Sequence, residues 1–163
     1  MVRSWYKFAA SLFALTVPWL GAAQSLRPPD PACPITQPNG QPPPVQGISS
    51  PNGHGNGDLW TSLSPDGRIV FQPGGPGLVL EDGALKIQWG WWRRSFDGQL
   101  TIEGRRIDGV APPLRYEQGA PAEGPVEFSS TYLIFPTPGC WLITGHIGNG
   151  SLRFIIRVVK IGE

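Results

Sequence analysis

Glycine and proline break this chain too often for helices to organise it: 22 glycines and 19 prolines fall within 163 residues. Glycine in a helix interior costs backbone entropy, and proline removes a hydrogen bond and clashes with the preceding turn. The segments left between them are short and alternate with a period of two. Such segments, punctuated by turns, describe an all-β fold.

From Asp58 onward, Leu59, Thr61 and Leu63 alternate with Trp60 and Ser62. Ser64-Pro65-Asp66-Gly67 then supplies a tight turn, and Arg68 to Gln72 is expected to return as the second strand of a hairpin. Leu78 to Leu80 and Ala84 to Arg94, joined through Asp82-Gly83, predict another hairpin, and Gln99 to Ile107 a further strand. Gly109 to Pro125 reads as a long proline-broken loop, and Val126 to Phe135 as a strand. The clearest pattern comes last. Cys140 to Ile147 and Ser151 to Ile161 flank Asn149-Gly150, a pair suited to the type I′ turn of a hairpin. In the second of these strands Leu152, Phe154, Ile156 and Val158 share one face, with Arg153 and Arg157 on the other. About seven or eight short strands predict an antiparallel β-sandwich, immunoglobulin-like as the first choice, with a jelly roll or small barrel as the alternative.

Ahead of this domain lie two segments of different character. Arg3 and Lys7 precede an apolar run from Phe8 to Leu20, and Gly21-Ala22-Ala23 offers small residues for cleavage before Gln24. Residues 1–23 therefore read as a secretory signal peptide, too short in its apolar part for the roughly 20 residues a membrane span needs. A secreted or periplasmic protein is expected, with no membrane span in the mature chain. Residues 24–51 hold nine prolines, from Pro28 to Pro51, and few large apolar side chains; they read as an extended arm, with the sandwich occupying 52–163. Cys33 and Cys140 are the only cysteines, and an oxidising compartment makes a disulfide between them the economical reading. A lipid anchor on Cys33 is disfavoured, because Asp30-Pro31-Ala32 lacks the apolar character such a site needs.

Several segments together resemble a family of uncharacterised exported bacterial proteins. They are Ser50 to Trp60 with its His54-Gly55-Asn56-Gly57 core, Phe71 to Gly77, Leu100 to Arg106, and Ile134 to Trp141 with its Phe135-Pro136-Thr137-Pro138-Gly139-Cys140-Trp141 run. The resemblance implies a bacterial source and export; it brings no activity and no catalytic residues. The last segment is also similar to the end of many extracellular immunoglobulin-like domains, which bears on fold alone.

Composition narrows function further. Losing Arg3 and Lys7 with the leader leaves 11 Lys+Arg against 12 Asp+Glu, a charge of −1 that offers no basic footprint for nucleic acid. No cofactor motif is present, and no metal site is expected. A blue-copper centre wants two His, a thiolate and usually an axial Met, and the only methionine is Met1. His54 and His146 lack the spacing of a zinc site. Asn52, His54, Asn56 and Asp58 alternate with glycines but miss the acidic end positions of a calcium loop, so they read as a solvated turn, with a calcium site as the lesser alternative. A Ser-His-acid set using His54 or His146, or a carboxylate pair among Glu81, Asp82, Glu103, Asp108 and Glu127, has no motif behind it.

Trp89, Trp91 and Trp92 beside Arg93 and Arg94 form the most suggestive cluster. Strict alternation puts Leu85, Ile87, Trp89 and Trp91 in the core and Lys86, Gln88, Trp92 and Arg94 on the other face. Trp92 and Arg94 are therefore the candidate binding residues, with Trp60, which also falls opposite its strand's apolar set. The expected function is a non-catalytic binding module for a glycan or protein partner; a small hydrolase using His54 or His146, or a structural envelope component, are the alternatives.

Overall fold

The computed structural model describes residues 33–43, 45, 51–94, 98–121 and 128–162. The segment expected to be a signal peptide, the first part of the arm and all but Val45 of its residues 44–50 lie outside them. Among the described residues there is no helix, and none therefore long and apolar enough to cross a membrane. Ten strands follow in chain order: β1 (Gly53–Gly55), β2 (Leu59–Ser62), β3 (Arg68–Phe71), β4 (Leu78–Val79), β5 (Leu85–Arg93), β6 (Thr101–Arg106), β7 (Arg115–Pro121), β8 (Phe128–Phe135), β9 (Gly139–Ile147) and β10 (Gly150–Lys160).

They make a β-sandwich. One sheet runs β1-β2-β5-β8-β7, with β4 also on β5, and the other runs β3-β10-β9-β6. Within these, β2-β5-β8-β7 and β6-β9-β10 reproduce the strand order of the two sheets of an immunoglobulin constant-type domain. The closing hairpin is the backbone of the second sheet, with β9 and β10 paired from Gly139↔Val158 to Ile147↔Gly150. Its turn differs from the expected one. The two central residues are Gly148 and Asn149, and only Gly148 has a positive φ, 51°, the pattern of a type II′ turn with glycine first.

The expected β2–β3 hairpin does not form. Ser64-Pro65-Asp66-Gly67 closes as a turn, with Gly67 N–H donating to the Ser64 carbonyl at 2.8 Å, but β3 then pairs in parallel with β10 in the opposite sheet. Two further strands sit where none was expected. β1 replaces part of the glycine-rich turn, and β7 occupies the middle of the expected Gly109 to Pro125 loop, hidden there by Gly119, Pro121 and a register shift between Gln118 and Pro121.

The core lies between the sheets. Leu59, Leu85, Trp91, Leu133 and Phe135 face Phe71, Trp141, Ile143, Phe154, Ile156 and Val158, all at most 2% exposed. Trp91 fits because it meets a glycine: a Cβ on Gly145 would stand 2.6 Å from the indole. Its Nε1 donates to Thr131 Oγ1 at 3.2 Å, which satisfies the one polar atom of the buried ring. Phe154 stacks on Trp89 at 5.7 Å and tilts against Trp91 at 5.8 Å.

The arm is fastened to both sheets. Cys33 and Cys140 form a disulfide across 107 positions of sequence. Thr36 N–H donates to the Ile155 carbonyl and Thr36 Oγ1 accepts from Ile155 N–H, at 3.0 and 2.9 Å. Further on, the Asn39 side chain donates to the Gly55 carbonyl at 2.6 Å and accepts from Gly55 N–H at 3.1 Å. The arm thus passes from β9 and β10 to β1 and spans one open side of the sandwich.

Candidate binding face

β5 alternates as the sequence predicts. Leu85 and Trp91 are buried inward, Ile87 and Trp89 pack against the core, and Lys86, Gln88, Gly90 and Trp92 face outward. Register then decides what each outward residue meets. Trp92 lies between Trp60 on β2 and Phe128 on β8, Gly90 is opposite Ser130, and Gln88 is opposite Tyr132.

Trp92 is half-buried and tilts against Phe128, ring centroids 5.2 Å apart. The Phe128 ring leans over Gly90, where a Cβ would come within 2.9 Å of it. The absence of a side chain at 90 lets an aromatic pair lie low on the sheet. Beyond it the face turns polar. Gln88 Nε2 donates to Ser130 Oγ at 2.8 Å, Lys86 sits 4.6 Å above the Tyr132 ring, and the Lys86 ammonium meets the Glu117 carboxylate at 2.5 Å. From the Trp92 row to the Gln88 row is four residues of strand, roughly 13 Å.

The other two predicted residues sit differently. Trp60 is only 5% exposed, which corrects the expectation of a surface ring. Its indole lies against Gly55, its register partner, where a Cβ would be 2.0 Å from Cδ1. The pairing strand β1 is what covers it. Arg94 is exposed, but its Nε donates to the Gly57 carbonyl at 2.6 Å and lies 3.7 Å from Asp58 Oδ1, so it ties the end of β5 to the β1–β2 connection. The structure joins Trp92 to Phe128 rather than to Arg94. Phe128 and Tyr132 were the residues that sequence reasoning missed. Their signal was parity, since both fall opposite Leu133 and Phe135 in β8.

The two histidines stand in different surroundings, one buried and one on an outer sheet face. His54, on β1, is 9% exposed, stands edge-on to Phe154 at 6.4 Å and bonds to the Arg153 backbone; its Nδ1 is buried with no partner among the described residues. Burial lowers its pKa, against a smaller raising effect of the Arg153 carbonyl. His146, on the outer face of β9, lies 3.1 Å from Glu103 on an open sheet surface. Asn56 is also taken: its Oδ1 accepts from the N–H groups of Asp58 and Leu59, and its Nδ2 donates to the Ser151 carbonyl at 2.6 Å. The Asn52 to Asp58 segment, expected as a solvated turn, instead holds a buried strand and a brace to β10. Among the described residues no three His, Cys, Asp or Glu side chains are grouped to hold a metal ion.

No protein-family model matches this chain, and neither a curated protein nor a solved structure matches it.

Proposed function

We propose that this protein is an exported, non-catalytic binding module for a glycan, held on the outer face of β5 and β8. The observation that carries the reading is the Trp92–Phe128 pair laid low over Gly90, with amide, hydroxyl, ammonium and carboxylate groups following along the same face. An aromatic face offers apolar area to the C–H groups of a sugar ring, and neighbouring polar groups give direction to its hydroxyls. A protein partner would need about 800 Å² per side with an apolar centre, whereas polar side chains interleave with this aromatic pair within one strand length. The leader-like residues 1–23 and the Cys33–Cys140 disulfide support export, since such bridges persist in oxidising compartments.

A glycan array followed by titration of the bound sugar tests the reading. Trp92→Ala is expected to weaken binding by at least about 2 kcal/mol, while Thr101→Ala, on the exposed face of the opposite sheet, leaves it unchanged. Equal affinity in a folded Trp92→Ala protein would remove the face from consideration.

A further inference from the structure

The opposite outer face carries a concavity of different chemistry. Across β6, β9 and β10 one row of register partners reads Glu103, Thr144, Arg153, and the next reads Arg105, Leu142, Ile155. The chain returning after β6 walls this surface, because Leu114 N–H donates to the Gly104 carbonyl at 2.9 Å and brings Pro113 alongside. The result is a cavity of about 420 Å³ lined by Glu103, Arg105, Pro113, Leu142, Thr144 and Arg153, among others. That is within the usual size range of small-molecule sites.

The charge in it is unusual for this protein. Arg94, Arg106 and Arg115 meet Asp58, Asp108 and Asp82, and Arg68 acts on Asp66. Arg105 and Arg153, by contrast, are exposed, and among the described residues neither is in an ion pair. They flank β9 from its two sides and line one cavity with Thr144 and Leu142. Glu103 enters the same row, where it also meets His146. Two guanidinium groups with one carboxylate leave a single positive charge, suited to a monoanion; a dianion would meet repulsion from Glu103.

We infer that this cavity binds a small molecule carrying one carboxylate and an apolar body. The guanidinium fork matches a carboxylate in geometry and charge, Thr144 stands beside Arg153 and one row from Arg105, and Leu142 with Pro113 supplies the apolar lining. The carboxylate can come from a free organic acid or from an acidic sugar.

Titrating sodium phenylacetate and sodium glucuronate into the oxidised, full protein, followed by amide NMR shifts, separates the two sources. At least one acid is expected to move Gly104, Arg105, Leu114, Thr144 and Arg153 together with a single Kd. Arg105→Gln and Arg153→Gln should each weaken binding about tenfold, the scale of losing one charged hydrogen bond. Phenyl phosphate, a dianion at pH 7.5, should bind more weakly than phenylacetate and gain in Glu103→Gln. Trp92→Ala should leave these shifts in place, which separates this cavity from the glycan face. The inference is overturned if neither acid shifts these amides by 20 mM (about the weakest useful affinity, near the millimolar end of the scale). It is equally overturned if both glutamine variants, with native spectra, bind as well as the parent, or if phenylacetamide binds as tightly as phenylacetate.

Discussion

Two tight turns sit between alternating segments in this molecule, and they do opposite things. Gly148-Asn149 joins β9 to β10 within one sheet, whereas Ser64-Pro65-Asp66-Gly67 sends β2 and β3 to different sheets. Their backbone hands differ. A positive φ at the first central residue, 51° at Gly148, gives a turn whose twist matches that of paired strands. Pro65 fixes a negative φ at the corresponding position, and turns of that hand splay the strands they join. Burial then completes the separation: Leu59 and Leu63 reach the core from one side of the crossing, Ile69 and Phe71 from the other. Hand alone does not decide the outcome, because Glu81-Asp82 also has negative φ and still joins β4 to β5 as a hairpin. A turn signal reports a change of direction, and the burial of the flanking strands decides which sheet receives the returning chain.

The largest test of the hairpin side is Phe154→Ala. Phe154 is 1% exposed and touches His54, Trp89 and Trp91, so its loss is expected to cost about 3–5 kcal/mol through transfer energy and a cavity. Arg153→Ala, on the exposed face of the same strand, should cost less than about 1 kcal/mol. Urea unfolding of both variants checks this, and equal small losses would mean that β10 does not present the face assigned to it.

The crossing side is held by the arm, which the disulfide anchors. Cys140→Ser is expected to lower stability by about 2–5 kcal/mol, the usual cost of removing a native bridge from a small disulfide-bonded domain. Intact mass with and without reductant, after alkylation, should count two thiols only in the reduced protein. Two alkylated cysteines in the unreduced protein would detach the arm from β9.

How much of this was readable in advance follows the same division. Leu152, Phe154, Ile156 and Val158 alternate without interruption, so β10 and its core face were legible, as were the inward set of β5 and the outward parity of Trp92. β1 was not, because Gly53-His54-Gly55 has no apolar alternation; it becomes a strand only through β2 and the Asn39 side chain. The fate of Trp60 depended on that strand and was lost with it. The partnership of Trp92 with Phe128 required the β5–β8 register, which one sequence does not carry.

The turns themselves give a direct comparison. Gly148→Ala places a Cβ on a left-handed backbone and is expected to cost about 1–2 kcal/mol, although nothing lies within 4 Å of that Cβ. Pro65→Ala keeps a conformation open to most residues and should cost only about 0.4–1 kcal/mol, the entropy that proline removes from the unfolded chain. Thermal unfolding of the two variants decides. A Pro65→Ala loss exceeding that of Gly148→Ala would reverse the argument from backbone hand.

The smallest expected effect, and the one that probes both regions together, is a pH dependence centred on His54. This side chain starts on β1, one of the crossing-side strands, and bonds to the Arg153 backbone in the hairpin. Burial favours its neutral form, so its pKa in the folded protein lies below the ordinary 6.5. Between those two values the unfolded chain binds more protons than the folded one, and stability rises with pH. The contribution is therefore complete above about pH 6.5 and declines as pH falls toward the folded value. Asp66 is held below 3.8 by the Ser64 hydroxyl and the Arg68 N–H, and Asp82 by the Ala84 N–H and Arg115. In Asp108 burial acts upward, but bonds from Arg106 and the Cys140 backbone outweigh it. Their contributions are lost only in more acid solution, as pH falls through their lowered values, so the two windows are distinct. Urea midpoints at pH 7.5, 6 and 5 should fall for the native protein and stay level for a folded His54→Gln variant. A native midpoint that does not move over this range would mean that His54 is not held neutral between the sheets.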